Sequence, residues 1–484
     1  MSLVVRTGQA VPIENVPSLA FGDFRQLVTS PGKRVSALFG RARGERVELV
    51  AVVATDRKGT LEIATTALEG KAYPSMTLDR PQVHLFEREI FEQCGALPEG
   101  HPWLKPVRFE RSPVGVMDFY RVEGDEVHEV AVGPVHAGVI EPGHFRFQCH
   151  GEHVFHLEIS LGYQHRGVER ALVGGPTKRT IPYLETLSGD PTVGHTMAHC
   201  HLVEALAGSR VPARAHVLRG IGLELERLAN HTGGLGALAG DIGFLPTASF
   251  CGRLRGDFLN LSAVLCGNRF GRGLVRPGGV AFDIEDRHRT EIQTRLAAAL
   301  RDVGASVELL WNSASVQARF EGTGIVSMEV AEALGLVGVA ARACGIDRDV
   351  RHDHPSGIFR MSHIPVSAWT TGDVFARAFV RWLEIQRSCA FISEQLDGLP
   401  SGAIRRDCGA LAPNRICASL VEGWRGEICH VAITDEAGRF AGYKVVDPSF
   451  HNWTGLAMAL RDQQISDFPL CNKSFDLSYC GHDL

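Results

Sequence analysis

The run E-T-L-S-G-D-P-T-V-G-H-T-M-A-H-C-H-L-V-E, Glu185 to Glu204, decides how this chain is read. Ser188-Gly189-Asp190-Pro191 has the composition of a tight loop, and helical sequence begins near Thr192. Pro191 sits where a helix tolerates proline, before or within its first turn. Asp190 is placed to cap the open amides behind it. A second loop, Asp447-Pro448-Ser449-Phe450-His451-Asn452, lies near the other end of the chain. Two strand-like runs lead into it, I-C-H-V-A-I-T (428–434) and F-A-G-Y-K-V-V (440–446), separated by the turn sequence D-E-A-G. That pattern predicts a hairpin that delivers the second loop opposite the first, across one cleft.

The chain has 484 residues, 44% hydrophobic and 22% charged. Those figures place it among soluble globular proteins of roughly two to four domains. A net charge of −5 with no basic stripe argues against nucleic acid as a partner. No apolar run is long enough to span a bilayer, and the first residues contain no apolar signal core. A cytoplasmic chain is expected, with any membrane attachment made through partners. Twelve cysteines are present, none spaced C-x-x-C. This favours buried free thiols over disulfides and argues against a local cysteine-built metal site.

Residues 1–115 read as a small α/β domain. Arg34–Arg43 and Val47–Ala54 are strand candidates joined by a Gly-Glu turn, and Leu61–Ala67 is a third. The segment 85–95 is a short helix stopped by Gly95, with Phe86, Ile90 and Phe91 on one face. After a linker near 108–122 come two strands, 126–132 and 144–150, flanking a loop rich in glycine, proline and histidine (133–144). From 155 onward helices dominate. Arg214–Asn230 carries a buried stripe of Leu218, Ile221, Leu225 and Leu228 and is expected to end at Gly233-Gly234. Glu224, Arg227 and His231 share another of its faces and can pair there. Ile292 to Leu310 and Thr370 to Ile392 mark two more helices, the latter opened by Thr370 and Asp373 as a near capping box. The expected fold class is α+β: a small N-terminal α/β domain (1–115), then a mainly α-helical domain (122–484) carrying a small antiparallel sheet.

Several motifs occur in an order that resembles one superfamily. Leu161–Leu172, L-G-Y-Q-H-R-G-V-E-R-A-L, resembles a segment shared by complex I and the energy-converting (group 4, formate-hydrogenlyase-type) nickel–iron hydrogenases. G-P-V-H (133–136) resembles their glycine-proline-histidine loop. R-P-G-G-V (276–280), E-G-T-G-I (321–325), G-I-D-R-D-V-R (345–351) and V-E-G-W-R-G-E (421–427) continue the likeness, and D-F-P-L-C-N-K-S-F-D-L-S-Y (467–479) is similar to the hydrogenase-type tail. The N-terminal part, with F-E-R-E-I-F-E-Q-C-G (86–95), is similar to the complex I accessory subunit fused ahead of the large one. The likeness implies the nickel–iron-hydrogenase large-subunit fold.

Active members of that superfamily hold nickel and iron with four thiolates, two from each of two C-x-x-C pairs. Soft thiolates suit these metals. Matched through His195, the resemblance puts Ser188 and Pro191 at the first pair and Ser449 and Asn452 at the second, so all four ligand positions are degenerate. It therefore implies the fold without the nickel–iron centre: no metal ligands and no cofactor resident in this chain. The complex I relatives use the cavity for quinone, offering its carbonyls a loop histidine and a helix tyrosine. The histidine corresponds to His136 or His144, and the tyrosine position aligns with Gly189, which has no side chain to donate. Electrons would come from an iron–sulfur cluster in a small partner subunit. Further implied partners are membrane subunits of antiporter-like or proton-channel-like type, and formate dehydrogenase or ferredoxin as donor. The complex would be held peripherally on the inner face of the cell membrane.

Each candidate has a plainer role beside its functional one. His136 and His144 would supply a hydrogen bond or proton, with Asp190 and His195 orienting the site; the plainer role is shaping loops. Ser188, Ser449 and Asn452 could line a polar pocket or only satisfy backbone groups. His165, Arg166 and Glu169 form a charged link towards a membrane partner or a structural ion pair. His150, His153 and His156 are spaced so that strand neighbours diverge. His199-Cys200-His201 diverge on a helix, and Arg351-His352-Asp353-His354 reads as a solvated loop. Two functions remain: a redox subunit delivering electrons to a small acceptor such as quinone, or a scaffold coupling a partner's redox step to a membrane ion-translocating arm. An active nickel–iron hydrogenase is rejected on ligand count.

Overall fold

The computed structural model describes residues 1–44, 46–135 and 141–484. Its helices and small antiparallel sheets make an α+β fold, about 44% helical and 19% strand.

Short apolar runs, buried on both faces at the centre, build the N-terminal sheet. Arg34–Arg43 pairs antiparallel with Arg46–Thr55, and Thr60–Ala67 and Leu3–Val5 extend the sheet on the far side. Gly44 supplies the positive φ the turn needs (62°). Against this sheet packs the helix His84–Cys94, ended by Gly95 at φ 72°. Phe86 and Ile90 are buried, but Phe91 faces solvent. The last point corrects the expected face: Phe91 is five residues from Phe86, about 140° round a helix of 3.6 residues per turn.

The core beneath this sheet does not close on itself. It continues into Ile416, Ala418, Leu420, Val431 and Phe450, so the first sheet packs on the C-terminal one. That second sheet joins Arg415–Gly423, Gly426–Thr434 and Phe440–Val446 in antiparallel register, with Val11–Pro12 at its edge. The hairpin over 426–446 is as expected, and Gly438 (φ 72°) serves its turn. The strand Arg415–Gly423 was not foreseen, because it is buried on both faces and shows no alternation.

The helices form the rest. Ala213–Asp241 packs most extensively on Leu245–Cys266 and on Val374–Asp397, while Asp286–Trp311 covers Leu245–Cys266. Leu218, Ile221, Leu225 and Leu228 are buried as read. The expected end at Gly233-Gly234 is overturned: the helix runs through both to Asp241. These glycines are contacts and not stops. A Cβ on Gly233 would lie 2.7 Å from Arg255 Cδ, and one on Gly236 would lie 2.9 Å from Cys251 Cβ. The third helix is capped by Asp373 alone, whose Oδ1 accepts from the Ala376 amide at 2.8 Å, in place of the expected capping box. A three-stranded sheet, Val127–Val132, His144–His150 and His153–Ser160, lies before the helical part. Its third strand was read as the start of helical sequence, although H-V-F-H-L-E-I-S alternates.

Candidate functional site

The two loops that frame the sequence reading meet. Ser188 donates its hydroxyl to Ser478 Oγ at 2.8 Å, and the Ser478 amide donates to Ser449 Oγ at 2.9 Å. Ser478 thus bridges two of the four degenerate ligand positions. The other two are filled differently. Asn452 is spent on one peptide neighbour, its Oδ1 accepting from Val337 N and its Nδ2 donating to Val337 O, at 3.0 and 3.1 Å. Pro191 is the N-cap residue of the helix Thr192–Leu206 and offers no donor. One thiol approaches: Cys480 Sγ lies 3.4 Å from Ser478 Oγ and donates to Glu141 Oε1 at 3.1 Å. Burial pushes it up to about 12, so it is a thiol at neutral pH. Among the described residues no three His, Cys, Asp or Glu converge as a metal site. The donor set does not fit a nickel–iron centre, because serine hydroxyls, a carboxamide and a proline cannot replace soft bridging thiolates.

Beside Ser188 opens a cleft of about 810 Å³, within the ~300–1,000 Å³ typical of ligand sites. Ser188, Gly189, Asp190, Ser478 and Tyr479 line one part, and Phe147, Phe270, Phe468 and Leu477 supply apolar surface. Gly189 has φ 77°, a left-handed conformation that a side chain at the expected tyrosine position would strain. Asp190 does not cap its helix. Arg425 Nη1 and Nη2 hold its carboxylate bidentately, at 2.6 and 2.8 Å. The open amides of Val193 and Gly194 donate instead to Glu226, at 2.6 and 3.3 Å. Burial is the largest influence on Glu226 and pushes its carboxyl up to about 8 against those two amides.

Tyr479 was missed in the sequence. It lies in the C-terminal tail, outside either loop, and only its place three residues after Asp476 in a hydrogenase-type segment marked it. Its ring is fixed edge-on against Trp453, centroids 4.8 Å apart, and packs against Gly143, where an added Cβ would lie 2.6 Å from it. Its hydroxyl is buried without a hydrogen bond of ordinary geometry. Burial pushes it up to about 12, with Asn472 offsetting part of the effect.

Behind the cleft wall runs a buried polar chain. Asp447 Oδ2 meets His195 Nε2 at 2.9 Å, and His195 Nδ1 meets His430 Nε2 at 3.0 Å. His430 Nδ1 meets the Tyr443 hydroxyl at 2.9 Å, which His199 Nδ1 also meets at 2.9 Å. Burial alone would raise the Asp447 carboxyl; the His195 hydrogen bond and then the Arg425 charge outweigh it and hold it below the usual carboxylate range. Burial and the neighbouring histidines keep His430 neutral. An ionised Asp447 accepts from His195 Nε2–H, and the four contacts make one continuous hydrogen-bonded chain from Asp447 to His199.

The remaining candidates lie elsewhere. His136 falls outside the described residues. His144 does not line the cleft: its Nδ1 donates to Gly133 O at 3.1 Å and its Nε2 accepts from Arg146 Nε at 3.3 Å. His165 Nδ1 donates to the Asp483 carbonyl at 2.8 Å, and Arg166 is bound to the carbonyls of Thr186 and Leu187. Glu169 takes Lys444 at 3.0 Å and the Val445 amide at 2.9 Å. These three tie chain segments together and do not form one link. His231 pairs with Glu384 on the facing helix, at 2.7 Å, and not with its own helix neighbours. Val350–Asp353 is a short helix in which Arg351 is buried against Glu224 and Asp349, and His354 Nε2 lies buried 2.9 Å from Asp56 Oδ1, so the solvated-loop reading fails for these two and holds for the exposed His352.

Comparison with known proteins agrees with this architecture. The sequence model for the family described as "Respiratory-chain NADH dehydrogenase, 49 Kd subunit" matches residues 241–415. The chain is 31% identical over 343 residues to an NADH-quinone oxidoreductase subunit of Clostridium beijerinckii, covering 69% of this chain and 91% of that one. It is 29% identical over 483 residues to formate hydrogenlyase subunit 5 of Escherichia coli K12, covering 93% and 85%. It is 28% identical over 439 residues to hydrogenase-4 component G of the same organism, covering 86% and 76%. The chain is an oxidoreductase-type subunit. The chain belongs to the family of large subunits shared by complex I and the group 4 hydrogenases.

Proposed function

We propose that this chain is the large subunit of a membrane-associated, complex I-like or hydrogenase-like oxidoreductase, and that it passes electrons from a partner's iron–sulfur cluster to a quinone without a nickel–iron centre. The observation that carries this reading is the cleft itself, a ligand-sized space with aromatic walls and three hydroxyls, Ser188, Ser478 and Tyr479, where the thiolate-bound metals of the active relatives would be held. Reducing a quinone takes two electrons and two protons. The partner cluster supplies the electrons one at a time. Tyr479 donates a hydrogen bond to a quinone carbonyl in the role that Gly189 cannot fill. The chain from His199 to Asp447 ends just before Ser449 and is arranged to move protons. No helix among the described residues is long and apolar enough to cross a membrane, so attachment falls to antiporter-like or proton-channel-like partners. Formate dehydrogenase or ferredoxin would be the donor.

The test is acceptor reduction by the intact assembly, titrated with a short-chain quinone. Tyr479→Phe should raise the KM for quinone about tenfold, the worth of one hydrogen bond to a buried acceptor, with iron content unchanged. Wild-type kinetics in Tyr479→Phe and also in His195→Gln would favour the scaffold reading. One observation favours that reading: Ser188 and Ser449 are both engaged by Ser478, and Asn452 by the Val337 backbone, with no ligand.

A further inference from the structure

A second, smaller cavity lies at the seam between the helix His84–Cys94 and the helix Pro448–Ala459, away from the cleft. It holds about 80 Å³, room for several waters or one small solute. Two arginines line it, Arg88 and Arg461. Arg88 is 6% exposed, yet its guanidinium meets no carboxylate: Nε donates to Lys105 O at 2.7 Å and Nη2 to Pro106 O at 2.8 Å, and Cζ lies 4.8 Å from the centre of the Trp103 ring. Neither arginine has an ion pair among the described residues. Arg34, Arg219 and Arg342 are buried with Glu427, Glu204 and Glu384 as partners, whereas Arg377 and Arg381, like Arg88, are held by uncharged acceptors. The carboxylates whose charge Arg88 feels, Glu158 and Glu92, are committed elsewhere. Glu158 takes Trp103, Lys105 and the Tyr120 amide, and Glu92 takes the amides of Val107, Arg108 and Glu110.

Three more lining residues carry a buried polar atom with no hydrogen-bond partner: His84 Nδ1, His156 Nε2 and Ser160 Oγ. His84 uses only its other nitrogen, on Thr454 Oγ1 at 2.9 Å, and its ring stacks on Trp103. A buried cation without a counter-charge is costly, and so are unpaired buried donors. Here both border one cavity, and Leu157 and Met458 add apolar wall. We propose that this seam cavity binds a small monoanion with an apolar stub, a short-chain carboxylate, whose charge is met by Arg88 and Arg461 and whose second oxygen takes the unpartnered hydroxyl of Ser160. The size excludes nucleotides and polyphosphates, and the apolar wall sets a carboxylate above a halide.

The test titrates propionate against chloride at constant ionic strength, reading the unfolding temperature of the full chain. A saturable rise of about 1–2 °C at tenfold excess over Kd is expected with propionate, and much less with chloride. Arg461→Gln, at the exposed rim, should weaken the response at least tenfold in concentration, and Ala457→Leu, which narrows the cavity, should abolish it. These two variants avoid the fully buried Arg88. An equal response to chloride, no saturable response, or wild-type responses in both variants would overturn the proposal.

Discussion

At the scale of single residues, Ser478 is the joint between the two loops. It accepts from Ser188, its amide donates to Ser449, and its Oγ also accepts from the Gly481 amide at 2.9 Å as the cap of the last helical turn. Ser478→Ala should lower stability by about 1–2 kcal/mol, since it removes a cap and strands the buried Ser188 donor; urea unfolding measures it. Glu226 gives a pH signature. Its folded carboxyl holds a proton up to about 8, above the ordinary carboxylate value of the unfolded chain. The folded state therefore binds more protons through that interval, and stability falls as pH rises across it. Glu226→Gln removes this loss while keeping an acceptor for Val193 and Gly194. The variant should gain about 1 kcal/mol or more on wild type between pH 5 and pH 8.5, in paired denaturant titrations; a parallel pH response would contradict the assigned cause. What the sequence disclosed at this scale was chiefly absence. Serine, proline, serine and asparagine at four positions are legible in one dimension. The partners that consume them are not, because Ser478 and Val337 lie far away in the chain. Tyr479 was illegible for the same reason.

At the scale of elements, the site depends on backbones brought unusually close. The helix Gly338–Arg342 abuts the turn between Arg415–Gly423 and Gly426–Thr434. Gly338 has φ 64°, and a Cβ there would lie 2.0 Å from Arg425 O and 2.4 Å from Gly426 Cα. Gly338→Ala should cost about 3 kcal/mol or more, combining strain with overpacking. Because Arg425 holds Asp190 at the cleft, the variant should also raise the KM for acceptor. A thermal unfolding midpoint within a degree of wild type would show that the contact yields more easily than its geometry implies. Elements with one wet face were readable, as the segment Ile292 to Leu310 shows by its helical period, while the strands Arg34–Arg43 and Arg46–Thr55 were readable as short apolar runs joined by a glycine turn. Elements without a wet face were not. Arg415–Gly423 is buried on both sides and carries no alternation. The long helix Ala213–Asp241 passes through Gly233 and Gly234 because neighbouring helices need that space, and a glycine pair reads the same whether it ends a helix or admits a neighbour.

At the scale of the whole molecule, a deep buried charge network lies behind the cleft. Arg342 bridges Glu384 and Glu422, Arg351 bridges Glu224 and Asp349, and Arg227 joins Glu224 to the carbonyls of Glu422 and Gly423. This network fastens the helices Ala213–Asp241 and Val374–Asp397 to the strand Arg415–Gly423, and so holds Arg425 over the cleft. Glu384→Gln leaves Arg342 and His231 short of one buried charge and should destabilise by about 3–5 kcal/mol, read as a loss of folded chain on thermal denaturation. Removing the exposed pair partner Asp257 of Arg253 should change little.

The central claim is that this cleft has lost the sulfur that anchors a nickel–iron centre and serves electrons another way. Metal analysis of the purified assembly, made with the chain and its iron–sulfur partner together, tests it most directly. The account predicts iron from the partner's cluster and nickel at background. One nickel per chain, retained after chelation and lost in Ser188→Ala with Ser449→Ala, would contradict it.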